Sequence, residues 1–160
     1  MTTATPFPPS PRGPLRPLTR TIPGYTQTLP LIPQAVGLAR ASVRTTLTCW
    51  CLDALIDDAV LVASELVTNA LRHATPIRLP EDEPICCRLT VERPEHSAVR
   101  ITVGDPSSRG PVQRHPDTET ETGRGLRVLS EISADWGVEK KSTGKRVWAL
   151  LRVDGQGAEQ

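Results

Sequence analysis

One run of residues decides the fold, and it reads Leu61-Val62-Ala63-Ser64-Glu65-Leu66-Val67-Thr68-Asn69-Ala70-Leu71-Arg72-His73. At about 100° per residue, its apolar side chains gather on one half of a helix and its polar side chains on the other half. Glu65 and Asn69 are four residues apart, so they lie on the same face of that helix. Leu61 and Val62 also lie on the polar half, on either side of Glu65, which indicates a half-covered cleft wall rather than an open surface.

A carboxylate and a carboxamide on one helix face suit a ligand site. An asparagine can bind a metal ion through its carbonyl oxygen, and a glutamate can orient or deprotonate a nucleophile. We therefore expect Glu65 and Asn69 to face a ligand together. An amphipathic helix with an ordinary solvated polar face is the alternative that this stretch alone leaves open.

Length and charge narrow the class of protein. The chain has 160 residues, which suits one compact domain with a tail. Its 19 basic and 18 acidic side chains give a net charge of +1, so nothing in the charge points to nucleic acid or to an anionic membrane as a partner. No signal-peptide pattern is evident, and no apolar run approaches the roughly 20 residues of a membrane helix. These features predict a cytoplasmic protein.

The cysteines are expected to be buried, inert thiols. Four are present, at Cys49, Cys51, Cys86 and Cys87, and a reducing compartment keeps them unpaired. A zinc site made of all four is the alternative. Cys86 and Cys87 are adjacent in a predicted strand, however, so their side chains point to opposite faces and cannot share one metal easily.

The chain divides into a tail, a domain and a short end segment. Residues 1–24 contain seven prolines and few apolar side chains, which predicts a disordered, extended tail. Residues 25–153 carry all the periodic segments and form the predicted domain. Residues 154–160 are expected to be a flexible C-terminus.

Periodicity within the domain predicts a strand, two helices, strands, a helix and closing strands. Pro33 fits the first turn of the first helix, and Asp53 is expected to cap the second helix. The expected bounds are strand 25–29, helix 33–50, helix 54–74, strands 85–91 and 98–104, helix 126–134, and strands 136–140 and 146–153. This order predicts an α/β (α+β) two-layer sandwich with a mixed, mostly antiparallel sheet and helices on one face. The long polar segment 106–122 is expected to be functional or disordered.

Two further features follow the Glu65/Asn69 helix along the chain. Asp105 ends a predicted strand, 36 residues after Asn69, and Thr122-Gly123-Arg124-Gly125-Leu126 then enters the next helix. A glycine-rich turn before a helix exposes backbone N–H groups to an anion, and the helix dipole adds positive potential. A simple turn made by two glycines is the alternative.

The sequence does not match other nucleotide-binding motifs or the nucleophile motif of hydrolases. A phosphate-binding loop around Gly144 would need Gly and Ser or Thr where Glu139 and Arg146 stand. A dinucleotide fingerprint starting at Gly123 would need a third glycine where Val128 stands. Ser64 lacks the G-x-S-x-G context of a nucleophile elbow.

Together, these residues resemble the GHKL ATPase superfamily, whose members have histidine-kinase-like ATP-binding domains of the Bergerat type. The similarity spans about residues 25–153 and is greatest to the serine/threonine kinase branch of anti-sigma factors. Glu65-Leu66-Val67-Thr68-Asn69-Ala70 is similar to the N box of that family, and Gly123-Arg124-Gly125-Leu126 is similar to its second glycine box. Thr143-Gly144-Lys145 lies where the family often has a third small box.

The resemblance implies specific roles for these residues. Glu65 would be the catalytic general base, and Asn69 would bind the Mg²⁺ that bridges the phosphates of ATP. Asp105 would accept a hydrogen bond from the adenine amino group. The expected nucleotide-binding residues are Asn69, Asp105, Gly110, Thr122, Gly123, Arg124, Gly125, Leu126 and Thr143.

The first glycine box departs from the family pattern. The family usually reads Asp-x-Gly-x-Gly, but Ser107 and Arg109 stand where the two glycines are expected after Asp105. Glycine permits close approach of the backbone to the nucleotide and a positive φ. Serine and arginine permit these only at a cost in free energy. The departure implies weakened nucleotide affinity or a lid of different shape.

The implied function is that of an ATP-dependent regulatory serine/threonine protein kinase. It would phosphorylate an antagonist (anti-anti-sigma) protein, whose state controls release of a sigma factor, and it would act as a homodimer. Proline-rich sequence, rather than a histidine-bearing helix pair, precedes the domain, which disfavours a self-phosphorylating sensor kinase. A non-catalytic, nucleotide-dependent binding switch and a structural domain without ligand are the alternatives.

Overall fold

The computed structural model describes residues 21–73, 84–105, 122–142 and 144–154. These residues form an open five-stranded sheet and three α-helices. The elements in chain order are β1 (Gly24–Pro30), α1 (Gln34–Cys49), a 3₁₀ turn (Asp53–Leu55), α2 (Ile56–His73), β2 (Cys86–Glu92), β3 (Ala98–Asp105), α3 (Thr122–Ile132), β4 (Asp135–Lys141) and β5 (Gly144–Arg152). Each periodic segment of the sequence therefore has the predicted type.

The sheet has the strand order β1-β2-β3-β5-β4, and each neighbouring pair is antiparallel. The helices cover one face: α1 lies over β1 and β2, α2 over β3 and β5, and α3 beside α2 and β4. This arrangement confirms the two-layer sandwich. Within the described strands every pairing is antiparallel, so the parallel component of a mixed sheet is not found there.

Alternation along the strands separates a buried face from an open one. In β3, Val99, Ile101 and Val103 are buried under the helices, while Arg100 and Thr102 point to the open face and are only half-buried. The interior is aliphatic, as the low aromatic content of 3% requires. A one-sided core of this kind leaves the opposite face of the sheet polar.

Two predicted boundaries were wrong. Asp53 does not cap the second helix: it begins the 3₁₀ turn, whose cap position is Leu52 and has no side-chain hydrogen bond. The turn runs directly into α2, because Ile56 already has helical φ and ψ of −60° and −48°. The third helix begins at Thr122 rather than Leu126, so the glycine pair lies inside its first turn instead of in a turn before it.

The end of α1 is closed by backbone hydrogen bonds around a left-handed residue. Cys51 has a φ of 55°, the N–H of Leu52 donates to the carbonyl of Leu47, and the N–H of Cys51 donates to Thr48. This is the Schellman arrangement, in which glycine usually occupies the left-handed position. Arg93 adds a side-chain donor to the carbonyl of Trp50 at 3.0 Å.

Several expectations concern residues outside the described ranges. They include most of the predicted tail 1–24, the polar segment 106–121, and nearly all of the end segment 154–160. Among the helices that the structure does describe, none is both long enough and apolar enough to cross a bilayer.

Candidate functional site

A cleft lies between α2 and α3, where the sequence predicts a ligand. The cleft is small, with a cavity volume of about 20 Å³, which is room for about one water molecule. Leu66 and Leu129 are 2% exposed and form its apolar base. The residues around the cleft are Glu65, Leu66, Asn69, Arg72, Gly125, Leu126 and Leu129. The cleft thus joins the N-box-like helix with the glycine pair of α3.

Glu65 and Asn69 both line this cleft. They lie one turn apart on α2, and each is half-buried. The two apolar residues beside Glu65 differ in exposure: Val62 is fully buried, whereas Leu61 is 41% exposed. The cleft wall is therefore covered on the Val62 side and open on the Leu61 side.

Gly125 brings the first turn of α3 against the carboxylate of Glu65. A Cβ atom placed on Gly125 would lie 3.0 Å from Oε2 of Glu65, which is closer than ordinary van der Waals contact. The first turn of a helix has N–H groups without intrahelical acceptors and carries the positive end of the dipole. A bound anion and the Glu65 carboxylate would therefore share this end of the cleft.

Arg72 also contributes to the cleft, and the sequence interpretation gave it no role. It lies one turn beyond Asn69 on α2 and is exposed. A guanidinium can form paired hydrogen bonds to phosphate oxygens. Its spacing of three residues from Asn69, which puts it on the cleft-lining side of the helix, is the sequence signal that would have identified it.

Asp105 lies at the end of β3 and is only 4% exposed. It does not line the cleft between α2 and α3. The strand register places it opposite Lys145 on β5. Burial of a carboxylate is costly unless polar groups compensate it. A buried carboxylate at the end of β3 can accept hydrogen bonds from a polar group.

The negative charge of Asp105 reaches the neighbouring strand. Burial, and secondarily the charge of the nearby Asp105 carboxylate, raises the pKa of the Cys87 thiol to about 11. Cys87 is 2% exposed, whereas Cys49 and Cys51 are exposed and Cys86 is half-buried. The expectation of buried thiols therefore holds for Cys87 and is wrong for Cys49 and Cys51.

The structure describes some, but not all, of the remaining expected site residues. The backbone of Thr122, Gly123 and Arg124 forms the start of α3, and Leu126 lines the cleft. Gly110 and Thr143 lie outside the described residues. Gly144, which follows Thr143, has a φ of 143°, a conformation that favours glycine.

The polar groups around the cleft fit a nucleotide with Mg²⁺ better than a metal ion bound by protein side chains alone. Within the described ranges, no group of three or more His, Cys, Asp and Glu side chains is placed to bind a metal ion. Mg²⁺ is commonly held by few protein oxygens together with phosphate oxygens and water. Asn69 can supply one such oxygen, and Arg72 and the start of α3 can contact the phosphates.

Comparison with known proteins agrees with this geometry. A family model described as the histidine kinase-like ATPase domain matches residues 29–151. Among solved structures, the crystal structure of the RsbU and RsbW domains of Rv1364c from Mycobacterium tuberculosis is similar, with a TM-score of 0.61 and 21% identity. The similarity covers 81% of this chain and 32% of that chain, so the chain spans about a third of the solved protein. None of the curated proteins matches the chain.

Proposed function

The chain belongs to the histidine kinase-like ATPase domain family, and we propose that it is an ATP-binding regulatory protein kinase of the anti-sigma-factor type. The observation that carries the proposal is the convergence of Glu65, Asn69 and the first turn of α3 on one cleft. These are the residue types that hold Mg²⁺, orient phosphates and remove a proton. The substrate would be a serine or threonine of an antagonist protein.

Nucleotide binding would use each of the observed features. Asn69 would supply a carbonyl oxygen to Mg²⁺, Arg72 would contact phosphate oxygens, and the N–H groups at the start of α3 would face the phosphates. Asp105, which is almost fully buried, would accept a hydrogen bond from the adenine amino group. Membership of an ATPase-domain family supports ATP as the nucleotide.

Glu65 would perform the proton transfer. When bound, ATP would supply the phosphoryl group, and Mg²⁺ would neutralise part of the negative charge of the phosphates. The Glu65 carboxylate would take the proton from the incoming hydroxyl, whose oxygen forms the bond to the γ-phosphorus while ADP leaves. A positioned general base contributes about 10²–10⁴ in rate. The position of Glu65 beside the start of α3 supports this role, because the N–H groups at that helix start would face the phosphates.

Phosphorylation of the antagonist would control whether a sigma factor is released. We expect the protein to act in the cytoplasm and as a homodimer. The second candidate function is a non-catalytic switch, in which the nucleotide only changes a protein-binding surface. Ser107 and Arg109 in place of the first-box glycines favour the switch, whereas the retained Glu65 favours the kinase.

Glu65→Gln separates the two functions. We expect this variant to bind ATP with nearly wild-type affinity in calorimetry and to lose at least 99% of phosphotransfer, about a hundredfold, to antagonist proteins encoded by neighbouring genes. The control is Glu131→Gln, because Glu131 is an exposed glutamate on α3 away from the cleft. The control should transfer phosphate at the wild-type rate.

Each result has a distinct meaning. Absence of ATP or ADP binding up to millimolar nucleotide contradicts the whole proposal. ATP binding by the wild type without phosphotransfer to any antagonist supports the switch instead. Equal transfer rates for Glu65→Gln and the wild type remove Glu65 from the role of base.

A further inference from the structure

A trough crosses the face of the sheet that the helices leave open. Its cavity volume is about 420 Å³, which lies in the range of small-ligand sites. Its floor is a row of threonines in register on three neighbouring strands, Thr26 of β1, Thr90 of β2 and Thr102 of β3. The hydroxyl oxygens of Thr26 and Thr90 lie 3.4 Å apart. The floor therefore consists of short side chains that can donate and accept hydrogen bonds.

Longer side chains on both sides of this row form the walls of the trough. One wall contains Arg88 of β2 and Arg146 of β5, which stand on either side of Gly104 in the strand register. A Cβ atom placed on Gly104 would lie 3.9 Å from Cβ of Arg88 and 3.8 Å from Cγ of Arg146. Because Gly104 has no side chain, nothing from β3 separates the two arginines. The other wall contains Glu92 and Arg100.

The charge of Arg100 is already compensated within the sheet. Its guanidinium carbon lies 4.4 Å from the centroid of the Trp148 ring, and its Nη2 donates a hydrogen bond to Oε1 of Glu139 at 3.3 Å. The Trp148 ring lies close against Gly137, where an added Cβ atom would be 3.0 Å from two ring carbons. Arg100 is therefore held by an aromatic face and a carboxylate.

Arg88 and Arg146, by contrast, are exposed and have no ion pair within the part of the chain that the structure describes. Glu139 stands opposite Arg146 in the register, but its carboxylate contacts Arg100 and, at 3.6 Å, the amine of Lys141. Neighbouring guanidinium groups repel each other, and an anion between them replaces this repulsion by attraction. We call Arg88 and Arg146 the cationic pair; it is the part of the trough best suited to bind an anionic group.

The other charges of the trough favour a protein segment over a nucleic acid. Glu92 and Glu139 also line the trough, and they would repel the closely spaced phosphates of a nucleic acid. A protein segment can place carboxylates at the cationic pair and uncharged residues at the two glutamates. A guanidinium binds a carboxylate through two parallel hydrogen bonds. The fitting ligand is therefore an acidic protein segment.

The dimensions of the trough indicate an extended segment. The trough reaches from β1 to β4, which is four spacings between strands, or about 19 Å. About six residues of extended chain cover this length at about 3.3 Å per residue, and alternate side chains point to the same side. Acidic residues at alternate positions would thus face the sheet together. The threonine hydroxyls of the floor can then bond to the backbone of the segment.

We propose that the open face of the sheet is a docking surface for an extended acidic segment of a partner protein, whose carboxylates bind to Arg88 and Arg146. This surface goes beyond the proposed function, because it lies on the other side of the sheet from the helices and their cleft. A partner can occupy it while the cleft binds its own ligand.

Fluorescence anisotropy with a labelled peptide tests the docking surface. The probe is a fluorescein-labelled hexapeptide in which glutamate and threonine alternate. The wild type should bind it at low ionic strength, and added salt should weaken binding because exposed charges are screened. The same hexapeptide with glutamine in place of glutamate should bind roughly tenfold more weakly, since it forms no ion pairs.

Substitution of the cationic pair tests its role. Arg88→Gln and Arg146→Gln should each raise the Kd of the acidic hexapeptide roughly two- to fivefold, and together roughly tenfold. Arg44→Gln is the matched control, because Arg44 is an exposed arginine of α1 on the helix side of the sheet; its Kd should equal that of the wild type. Circular dichroism checks that each variant is folded.

A charge reversal provides a gain of binding as a second test. The double variant Arg88→Glu with Arg146→Glu should lose the acidic hexapeptide and bind one in which lysine and threonine alternate. The wild type should prefer the acidic peptide over this basic one. A general loss of structure cannot produce such an exchange of preference.

The outcomes separate this inference from the proposed function. Absence of binding of the acidic hexapeptide to the wild type overturns the inference, and so does binding that the double glutamine variant leaves unchanged. Tighter binding of a thymidine hexanucleotide through the same arginines overturns the choice of a protein segment. ATP binding is a separate readout, and the double glutamine variant should retain it. Peptide binding through the cationic pair in a chain that binds no ATP supports the docking surface and contradicts only the kinase proposal.

Discussion

The substitution Gly125→Ala should lower phosphotransfer without lowering stability. Alanine is about 1 kcal/mol more favourable than glycine inside a helix, so Gly125→Ala should leave the melting temperature unchanged or raise it. Its Cβ would lie 3.0 Å from Oε2 of Glu65, so the carboxylate must move. The required shift is a few tenths of an ångström; since a misplacement of about 1 Å can cost roughly 10²-fold in rate, we expect a smaller loss, roughly several-fold. Phosphotransfer to the antagonist should fall accordingly.

Gly37→Ala is the control for that variant. Gly37 lies in α1, and a Cβ there would meet nothing within 4 Å. It should therefore gain helix stability and keep the wild-type transfer rate. Wild-type transfer by Gly125→Ala would show that the close approach of α3 to Glu65 has no part in the reaction.

Cys87 should make the free energy of unfolding depend on pH above 9. Burial, and secondarily the charge of Asp105, raise its pKa from 9.0 to about 11. Below pH 9 the thiol is protonated in both states, and its contribution to stability is fully present. Between pH 9 and 11 the unfolded chain loses this proton while the folded chain keeps it, so stability falls by up to about 1.4 kcal/mol per pH unit.

Denaturant unfolding of the wild type and of Cys87→Ala measures this effect. The variant should be less stable at pH 8, because a buried side chain is truncated. Its disadvantage should shrink as the pH rises to 10.5. A constant difference between the two proteins across this range would contradict the assignment of the raised pKa to Cys87.

At the scale of the element, the C-terminus of α1 combines a favourable hydrogen-bond pattern with an unfavourable residue. Cys51 occupies the left-handed position at φ 55°, which costs a residue with a Cβ about 1–2 kcal/mol. Cys51→Gly should therefore raise the free energy of unfolding by about 0.5–1 kcal/mol, after the greater entropy of glycine in the unfolded chain is included. Chemical denaturation measures the change.

Cys51→Ala is the matched control, because it removes the thiol and keeps the Cβ. It should show no such gain. Equal stabilisation by glycine and alanine would mean that the thiol, and not the left-handed backbone, is the unfavourable feature.

At the scale of the whole molecule, the folded unit should begin near Thr21. The Arg93 N–H donates to the Pro23 carbonyl at 2.9 Å, so Pro23 already belongs to the sheet. The preceding residues are rich in proline and poor in apolar side chains. A chain that begins at Thr21 should melt within a few degrees of the full chain and bind ATP equally well.

A chain that begins at Thr28 is the control for this truncation. It lacks most of β1, including its pairing with β2 from Gly24 to Gln27, and should melt far lower. A large loss of stability in the chain that begins at Thr21 would show that residues 1–20 pack on the domain.

Local periodicity determined much of this protein without any structure. A helix or strand with one buried side must repeat apolar residues at its own period, so the type and order of the elements, including α2 with Glu65 and Asn69, followed from the sequence. The spacing of Glu65 and Asn69 also identified the side of α2 that lines the cleft. Boundaries set by backbone geometry did not follow, as the misplaced cap at Asp53 and the misplaced start of α3 show.

Tertiary structure alone decided how these elements meet. The insertion of β5 between β3 and β4 and the approach of Gly125 to Glu65 bring together residues that are far apart in the chain. The pairing of distant strands depends on how the whole core packs, and no single segment carries that information. For the same reason, only the fold shows that Arg88 and Arg146 stand on either side of Gly104.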